Sequence, residues 1–201
     1  GATPVVQSKW FATVVVESPD STVAEQLQQL AIVDSVKWIW KGNLRVPAEE
    51  KWEDRFVSED EPLHNEYGYS YKQIKMLNGT KLHEAGFRGE GMRVAVIDAG
   101  FMNADRVSAF DSLRLLGTHN VVFPGKSVFV GDDHGTKVLS CLAADIPGVM
   151  VGTAPKASYL LLKSEDSDSE YPVEEDYWTA AVEYADSAGV DAVSYTHLTL
   201  P

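Results

Sequence analysis

Residues 92–98 read MRVAVID, a run of apolar residues that ends on an acid. A continuous apolar run of this length is typical of a parallel strand that is covered on both faces. Similar runs recur at 157–162 and 190–193, and helical patterns at 135–144 and 176–188 separate them. Alternating strands and helices predict an α/β fold in which a parallel sheet lies between helices on both faces.

The chain upstream of this sheet begins with a small unit of its own. Residues 11–17 (FATVVVE) and 36–41 (VKWIWK) have strand patterns, and residues 21–30 (STVAEQLQQL) place apolar residues at helical spacing behind a serine. These patterns predict a β-α-β unit, and residues 1–46 are therefore expected to form a small α+β domain.

An acidic segment follows this unit. Residues 47–66 hold eight acids against two basic residues, with two prolines and little periodicity. This composition predicts a linker. A helical pattern around residues 71–85 then leads to the glycines that precede the MRVAVID strand.

Two residues in the sheet region have the types and positions needed for acid–base chemistry. Asp98 ends its strand, at the edge where open parallel sheets place their ligand crevice, although a carboxylate there could instead cap a turn. His134 stands at the start of a predicted helix. The buried stripe of that helix is expected to be Val138, Leu139, Leu142 and Ala143.

The surrounding segments resemble a known family. VAVIDAG around Asp98, HGTKVLSCLAA from His134 and GTAPKASYLLLK at 152–163 match, in order, three blocks of the subtilisin-like serine proteases. The resemblance covers residues 67–194, which look like the first part of such a catalytic domain. It implies that His134 is the general base and that Asp98 fixes its tautomer and stabilises the imidazolium.

The match to the family pattern has departures. Ala99 stands where Ser or Thr is common, Lys137 stands where His is frequent, and the His-Pro pair often found soon after the Asp is absent. We interpret these differences as signs of a divergent branch.

The resemblance also shows what this chain lacks. The family's Gly-Thr-Ser segment, its oxyanion-hole Asn and its Ser-Leu-Gly strand do not occur, so no nucleophile is assigned in this chain. Residues 195–201 (YTHLTLP) do not continue the family pattern and are interpreted as a truncation scar. We expect the parent protein to hydrolyse peptide bonds through a Ser-His-Asp triad, and this chain to be inactive.

Further implications follow from the family. Residues 1–46 occupy the place of an inhibitory propeptide, and autoprocessing is expected between Gly42 and Tyr67. Substrates would be proteins or peptides, and the location would be extracellular or in the cell envelope.

Composition limits the partners. The formal net charge is −13, from 17 basic and 30 acidic residues, which argues against binding to nucleic acid or to an anionic membrane. No apolar run is long enough for a spanning helix. Cys141 is the only cysteine, which excludes an internal disulfide, and it is predicted to be buried.

Metal sites and cofactors find little support in the sequence. Asp132, Asp133 and His134 are adjacent, and adjacent residues rarely converge on one ion. An acidic run is predicted to be a solvated loop rather than a calcium site; its members are Glu165, Asp166, Asp168, Glu170, Glu174, Glu175 and Asp176. We expect no metal and no cofactor here, although calcium remains open for a longer protein. Substrate-binding residues and oligomeric state are not indicated.

The remaining side chains of interest receive no role in chemistry. The histidines without a predicted role are His64, His83, His119 and His197. The aromatic residues Tyr177, Trp178 and Tyr184 are expected to pack on the sheet.

Two other classes of protein are alternatives to a peptidase. A pseudoprotease or a fragment that binds peptides or proteases without cutting them would explain the missing serine. A doubly wound nucleotide-binding domain fits less well, because the glycines of GEGMRV precede the strand instead of following it.

Overall fold

The computed structural model describes residues 1–39, 65–168 and 171–195. The strands are β1 (Thr3–Ser8), β2 (Thr13–Glu17), β3 (Arg93–Asp98), β4 (Arg114–Asn120), β5 (Asp145–Ile146), β6 (Met150–Val151), β7 (Ser158–Lys163) and β8 (Ala192–Tyr195). The helices are α1 (Val23–Gln28), α2 (Tyr71–Met76), α3 (Gly79–Glu84), α4 (His134–Ala143) and α5 (Val173–Ser187), with a short 3₁₀ helix at Ser108–Phe110.

A four-stranded parallel sheet forms the centre of the molecule, with strand order β4-β7-β3-β8. The apolar run at residues 92–98 contains β3, in which Ala95, Val96 and Ile97 are at most 1% exposed. Because all strands run the same way, β3 and β7 end at the same edge, where Asp98 pairs in register with Lys163.

Helices cover both faces of this sheet. On one face, Leu139 and Ala143 of α4 pack with Val96 of β3. On the other face, Ala181 and Ala185 of α5 pack with the β3 side chains that point the opposite way. The predicted α/β class, with a parallel sheet between helices on both faces, is confirmed.

Some elements differ from the sequence prediction. β4 was missed, because RLLGTHN mixes charged, polar and glycine residues and its side chains are mostly exposed at the sheet edge. The helical stretch predicted around 71–85 is divided into α2 and α3. The break occurs at Asn78, which adopts a left-handed backbone conformation with φ of 56°.

In the N-terminal unit, the predicted strand 11–17 is found as β2 and the predicted helix as α1, but the β-α-β order is wrong. β1 and β2 form an antiparallel hairpin, and α1 follows it. Residues 36–39, predicted to begin a strand, form none, and residues 40–41 lie outside the described residues. β1 was missed because Pro4 within the run argues against a strand, whereas a two-stranded hairpin has free edges that tolerate proline.

The hairpin is attached to α5 through one carboxylate. Glu183 accepts hydrogen bonds from the Ser8 hydroxyl, from the backbone N–H of Lys9 at 2.9 Å and from that of Trp10 at 3.1 Å. Val6 also packs against the apolar cluster that α5 forms with the sheet. The hairpin is therefore docked on the helix by both polar and apolar contacts.

The segment that leads into the sheet region is anchored by a buried tyrosine and histidine. The Tyr67 hydroxyl lies 3.1 Å from His83 Nδ1, and His83 Nε2 lies 3.0 Å from the Thr153 carbonyl oxygen. Because a carbonyl only accepts, His83 Nε2 carries a proton and donates it to Thr153. Burial raises the pKa of Tyr67 to about 12. His83 thus has a packing role that the sequence did not suggest.

Two burial predictions are wrong. Cys141 is exposed, because it lies on the face of α4 opposite to Leu139 and Ala143. Glu174, predicted to be solvated with the rest of the acidic run, is only 6% exposed in the first turn of α5.

Several predictions fall on parts of the chain that the structure does not describe. Only residues 65–66 of the predicted linker 47–66 belong to the described residues, and Glu66 forms an ion pair of 2.8 Å with Arg88. Within the tail, Tyr195 belongs to β8, and 196–201 lie outside. In the described ranges, every helix is too short or too polar to cross a bilayer.

The sheet core predicts a stability difference between two leucines. Leu161 of β7 is fully buried between β3 and β4, whereas Leu116 of β4 is 47% exposed. Leu161→Ala should lower the free energy of unfolding by about 2 to 5 kcal/mol, because it leaves a cavity in the core. Leu116→Ala should lower it by less than about 1 kcal/mol. Urea unfolding followed by circular dichroism measures both, and equal losses would contradict this description of the core.

Candidate active site

The first turn of α4 lies against the end of β3, and a glycine makes this approach possible. A Cβ atom on Gly135 would lie 2.4 Å from the carbonyl oxygen of Gly100 and 2.9 Å from Cβ of Asp98. Both distances are too short for any side chain. A Cβ on Gly100 would similarly lie 2.8 Å from the Asp132 carbonyl oxygen. Glycine on each side therefore lets the helix start and the strand end come together.

Hydrogen bonds join the chain that follows β3 to the chain that precedes α4. The backbone N–H of Phe101 donates to the Val128 carbonyl at 2.8 Å, and that of Met102 donates to the Asp132 carbonyl at 2.9 Å. The Thr136 hydroxyl of α4 donates to the Met102 carbonyl at 2.9 Å. These bonds fix the position of the helix start relative to the strand end.

Asp98 and His134 meet at this junction. Asp98 is fully buried, and its two carboxylate oxygens lie 2.9 and 3.0 Å from His134 Nδ1. The backbone N–H of Ala99 donates to Asp98 Oδ1 at 2.8 Å, and the backbone N–H of His134 donates to Asp132 at 2.7 Å. The Asp98 carboxylate is thus held by a backbone N–H, and the backbone of His134 is held by the Asp132 side chain.

The geometry determines which ring nitrogen can act as a base. An ionised carboxylate only accepts hydrogen bonds, so the proton of a neutral His134 ring lies on Nδ1. Nε2 then carries a lone pair, and the His134 side chain is 38% exposed. A ring held in this way can take a proton at Nε2 while the buried carboxylate stabilises the resulting imidazolium.

The sequence-predicted site residues have different surroundings. The fold brings Asp98 and His134, which are 36 positions apart in the chain, within hydrogen-bond distance of each other. Asp133 forms an ion pair of 3.3 Å with Lys137, and the Asp132 carboxylate accepts a hydrogen bond from the His134 backbone N–H. Within the described ranges, no group of three or more potential ligands could hold a metal ion.

The departures from the family pattern do not disturb the pair. Ala99 contributes only its backbone N–H to Asp98, a group that every residue except proline provides. Lys137 is exposed and bonded to the neighbouring turn.

Two side chains at the sheet edge were missed by the sequence analysis. Lys163 ends β7 as Asp98 ends β3; it is only 6% exposed, and its Nζ donates to the Ala99 carbonyl at 2.5 Å. Ser164 follows it, fully buried, and its backbone N–H donates to the Asp98 carbonyl at 3.1 Å. The sequence signal that could have found Lys163 is that the apolar run ASYLLLK ends on a charged residue, as the run MRVAVID ends on Asp98.

The other histidines lie elsewhere. His119 stacks on Tyr184 with ring centroids 4.6 Å apart, and His83 belongs to the buried anchor described above. His64 and His197 lie outside the described residues. Of the aromatic residues on α5, Tyr177 and Trp178 pack toward the sheet as expected, whereas Tyr184 is 41% exposed.

The similarity of this chain to known proteins is found at the level of structure. No protein-family model matches the chain, and no curated protein matches it. Among solved structures, the MycP3 protease from the type VII (ESX-3) secretion system matches with 20% sequence identity and a TM-score of 0.48. The match covers 60% of this chain and 34% of that one, so this chain spans about a third of the length of that protease.

The close approach at Gly135 predicts that even a methyl group is harmful there. Gly135→Ala should lower the free energy of unfolding by about 1 to 3 kcal/mol, because α4 must move away from Gly100. The matched control is Gly117→Ala, whose new Cβ would meet only Leu160 Cδ1 at an ordinary 3.7 Å. Urea unfolding measures both variants. A Gly135→Ala protein as stable as the Gly117→Ala protein would contradict the packing described here.

Proposed function

We propose that this chain carries the Asp–His half of a subtilisin-type serine endopeptidase. The single observation that supports this most directly is the buried carboxylate of Asp98 on Nδ1 of a partly exposed His134. The chain order Asp before His, and the strand end and helix start that carry the two residues, agree with the resemblance stated for residues 67–194.

In the proposed reaction, a serine hydroxyl attacks the carbonyl carbon of the scissile peptide bond. His134 Nε2 takes the hydroxyl proton as the oxygen attacks, and then gives it to the leaving amine nitrogen as the C–N bond breaks. Water hydrolyses the resulting acyl-enzyme with the same base. Asp98 keeps the proton on Nδ1 throughout and stabilises the charged ring.

The serine and the donors for the oxyanion are not assigned in this chain. We propose that they belong to a longer parent protein, and that the 201-residue chain alone does not turn over peptides. Proteins or peptides are the proposed substrates, outside the cell or in the cell envelope, and the proposed reaction needs no cofactor.

The N-terminal unit is proposed to act as a propeptide. Its support is the docking of the β1–β2 hairpin on α5, where the Glu183 carboxylate accepts three hydrogen bonds from consecutive residues of the hairpin tip. Such contacts would keep the unit bound after cleavage between Gly42 and Tyr67. Release of the unit would then require these contacts to break.

The experiment for this proposal uses the full-length protein encoded by the gene and a peptide substrate. His134→Ala should lower kcat by about 10⁶-fold and Asp98→Asn by about 10⁴-fold, magnitudes taken from subtilisin and the trypsin-like enzymes. The matched control is His119→Ala, which removes a ring stacked on Tyr184 and should leave kcat nearly unchanged.

Two results would oppose the proposal. Hydrolysis that survives His134→Ala would exclude this residue as the base. A folded full-length protein that hydrolyses nothing, and whose gene encodes no serine in a Gly-Thr-Ser segment, would favour the alternative of a pseudoprotease that binds peptides or proteases.

A further inference from the structure

We propose that Lys163 is a positioning residue for the Asp98–His134 pair, an inference that rests on the function proposed above. Lys163 is the last residue of β7 and the register partner of Asp98 on β3. Its side chain is only 6% exposed, although lysine is among the residues least often buried. Its place in the fold is therefore directly beside the strand end that presents the carboxylate.

A short chain of hydrogen bonds runs from Lys163 to the imidazole ring. Lys163 Nζ donates to the Ala99 carbonyl, and the Ala99 N–H donates to Asp98 Oδ1 at 2.8 Å. The same oxygen lies 2.9 Å from His134 Nδ1. A single residue, Ala99, thus separates the ammonium group from the carboxylate and is held by hydrogen bonds through both its carbonyl and its N–H.

Burying the ammonium group of Lys163 costs free energy, which a role in packing alone would not require. The three residues before it, Leu160 to Leu162, are buried leucines, and another apolar side chain would complete the strand without burying a charge. Nζ instead lies beside the Ala99 carbonyl and 6.0 Å from the Phe123 ring centroid. The charged group therefore donates to the carbonyl of Ala99, the residue at which the chain turns away from Asp98.

Loss of the Lys163 ammonium group should weaken the hydrogen bonds between Lys163 and His134 one after another. The Ala99 carbonyl loses its donor, and the Ala99–Gly100 peptide to which it belongs can rotate. The Ala99 N–H lies in the preceding peptide, whose Asp98 carbonyl still accepts from the Ser164 N–H at 3.1 Å. The change therefore reaches Asp98 through the dihedral angles of Ala99, which weaken the bond from its N–H to Asp98 Oδ1. The carboxylate then orients the ring less strictly, and the neutral imidazole can place its proton on Nε2 instead of Nδ1. A ring protonated on Nε2 cannot accept a proton from a serine.

The experiment measures the tautomer of His134 directly, in the 201-residue chain itself. The chain is labelled with ¹⁵N, and the ring nitrogen shifts of His134 are recorded at a pH where the imidazole is neutral. The variants are Lys163→Met, which keeps the length of the side chain without its charge, and Lys163→Arg, which keeps a charged donor. The charged groups near the ring (Asp98, Asp132, Asp133 and Lys137) are the same in every sample.

A second lysine provides the matched control. Lys156 is also partly buried, at 38% exposure of its side chain, and its Nζ lies 2.6 Å from Asp145, a residue outside the Asp98–His134 site. Lys156→Met therefore removes a bonded ammonium group from another lysine near a strand of the sheet without touching Ala99. Urea unfolding of all variants shows whether they are folded.

The expected result is a neutral His134 mainly protonated on Nδ1 in the unchanged chain and in Lys156→Met. In Lys163→Met the ratio of Nδ1-protonated to Nε2-protonated ring should fall about tenfold, and Lys163→Arg should recover most of it. If Lys163→Met does not fold, the same comparison is made on Lys163→Gln in trimethylamine oxide, which favours the folded state.

Three results would overturn the inference, and they separate it from the proposed function. An unchanged ratio in folded Lys163→Met excludes the positioning role and leaves the Asp98–His134 pair intact. Equal falls in Lys163→Met and Lys156→Met would show a general loosening of the fold. A ring that is not protonated mainly on Nδ1 in the unchanged chain would contradict both the positioning role and the proposed base.

Discussion

The contact on which the site depends is the close approach of the start of α4 to the end of β3. Gly135 and Gly100 permit it, because a side chain on either would collide with the backbone of the other segment. The approach brings the positive end of the α4 dipole beside the buried Asp98 carboxylate, an arrangement that stabilises the negative charge. It also leaves the imidazole of the first helical residue, His134, with its Nδ1 on that carboxylate.

The helices on the two faces of the sheet carry residues with different roles. α4 covers one face and carries His134, whereas α5 covers the other and carries Glu183, the residue that holds the N-terminal hairpin. Since β3 lies between the two helices, its side chains alternate between the two clusters, and its last residue is Asp98. One central strand thus links the site, the core and the docking helix.

The sequence predicted the strands and helices whose spacing of apolar residues reflects the burial of one or both of their faces. β3, β7, α4 and α5 have apolar runs or helical stripes. Asp98 and His134 drew attention because they end and begin such elements, and their roles were then predicted from the family resemblance. The strand β1 was missed because of Pro4, and edge strand β4 because its exposed side chains carry no pattern. Lys163 was missed because a lysine after an apolar run is usually in water, whereas the structure buries it beside the Ala99 carbonyl. The exposure of Cys141 could have been derived from the helical phase of Leu139 and Ala143.

The central claim is that Asp98 and His134 activate a serine, and a fluorophosphonate that phosphonylates activated serines tests it most directly. The full-length protein is treated with this reagent, and intact mass followed by peptide mapping identifies the modified residue. The account predicts one modified serine in the unchanged protein, and almost none in His134→Ala or Asp98→Asn. Modification that persists without His134, or a folded protein that is not modified at all, would contradict it.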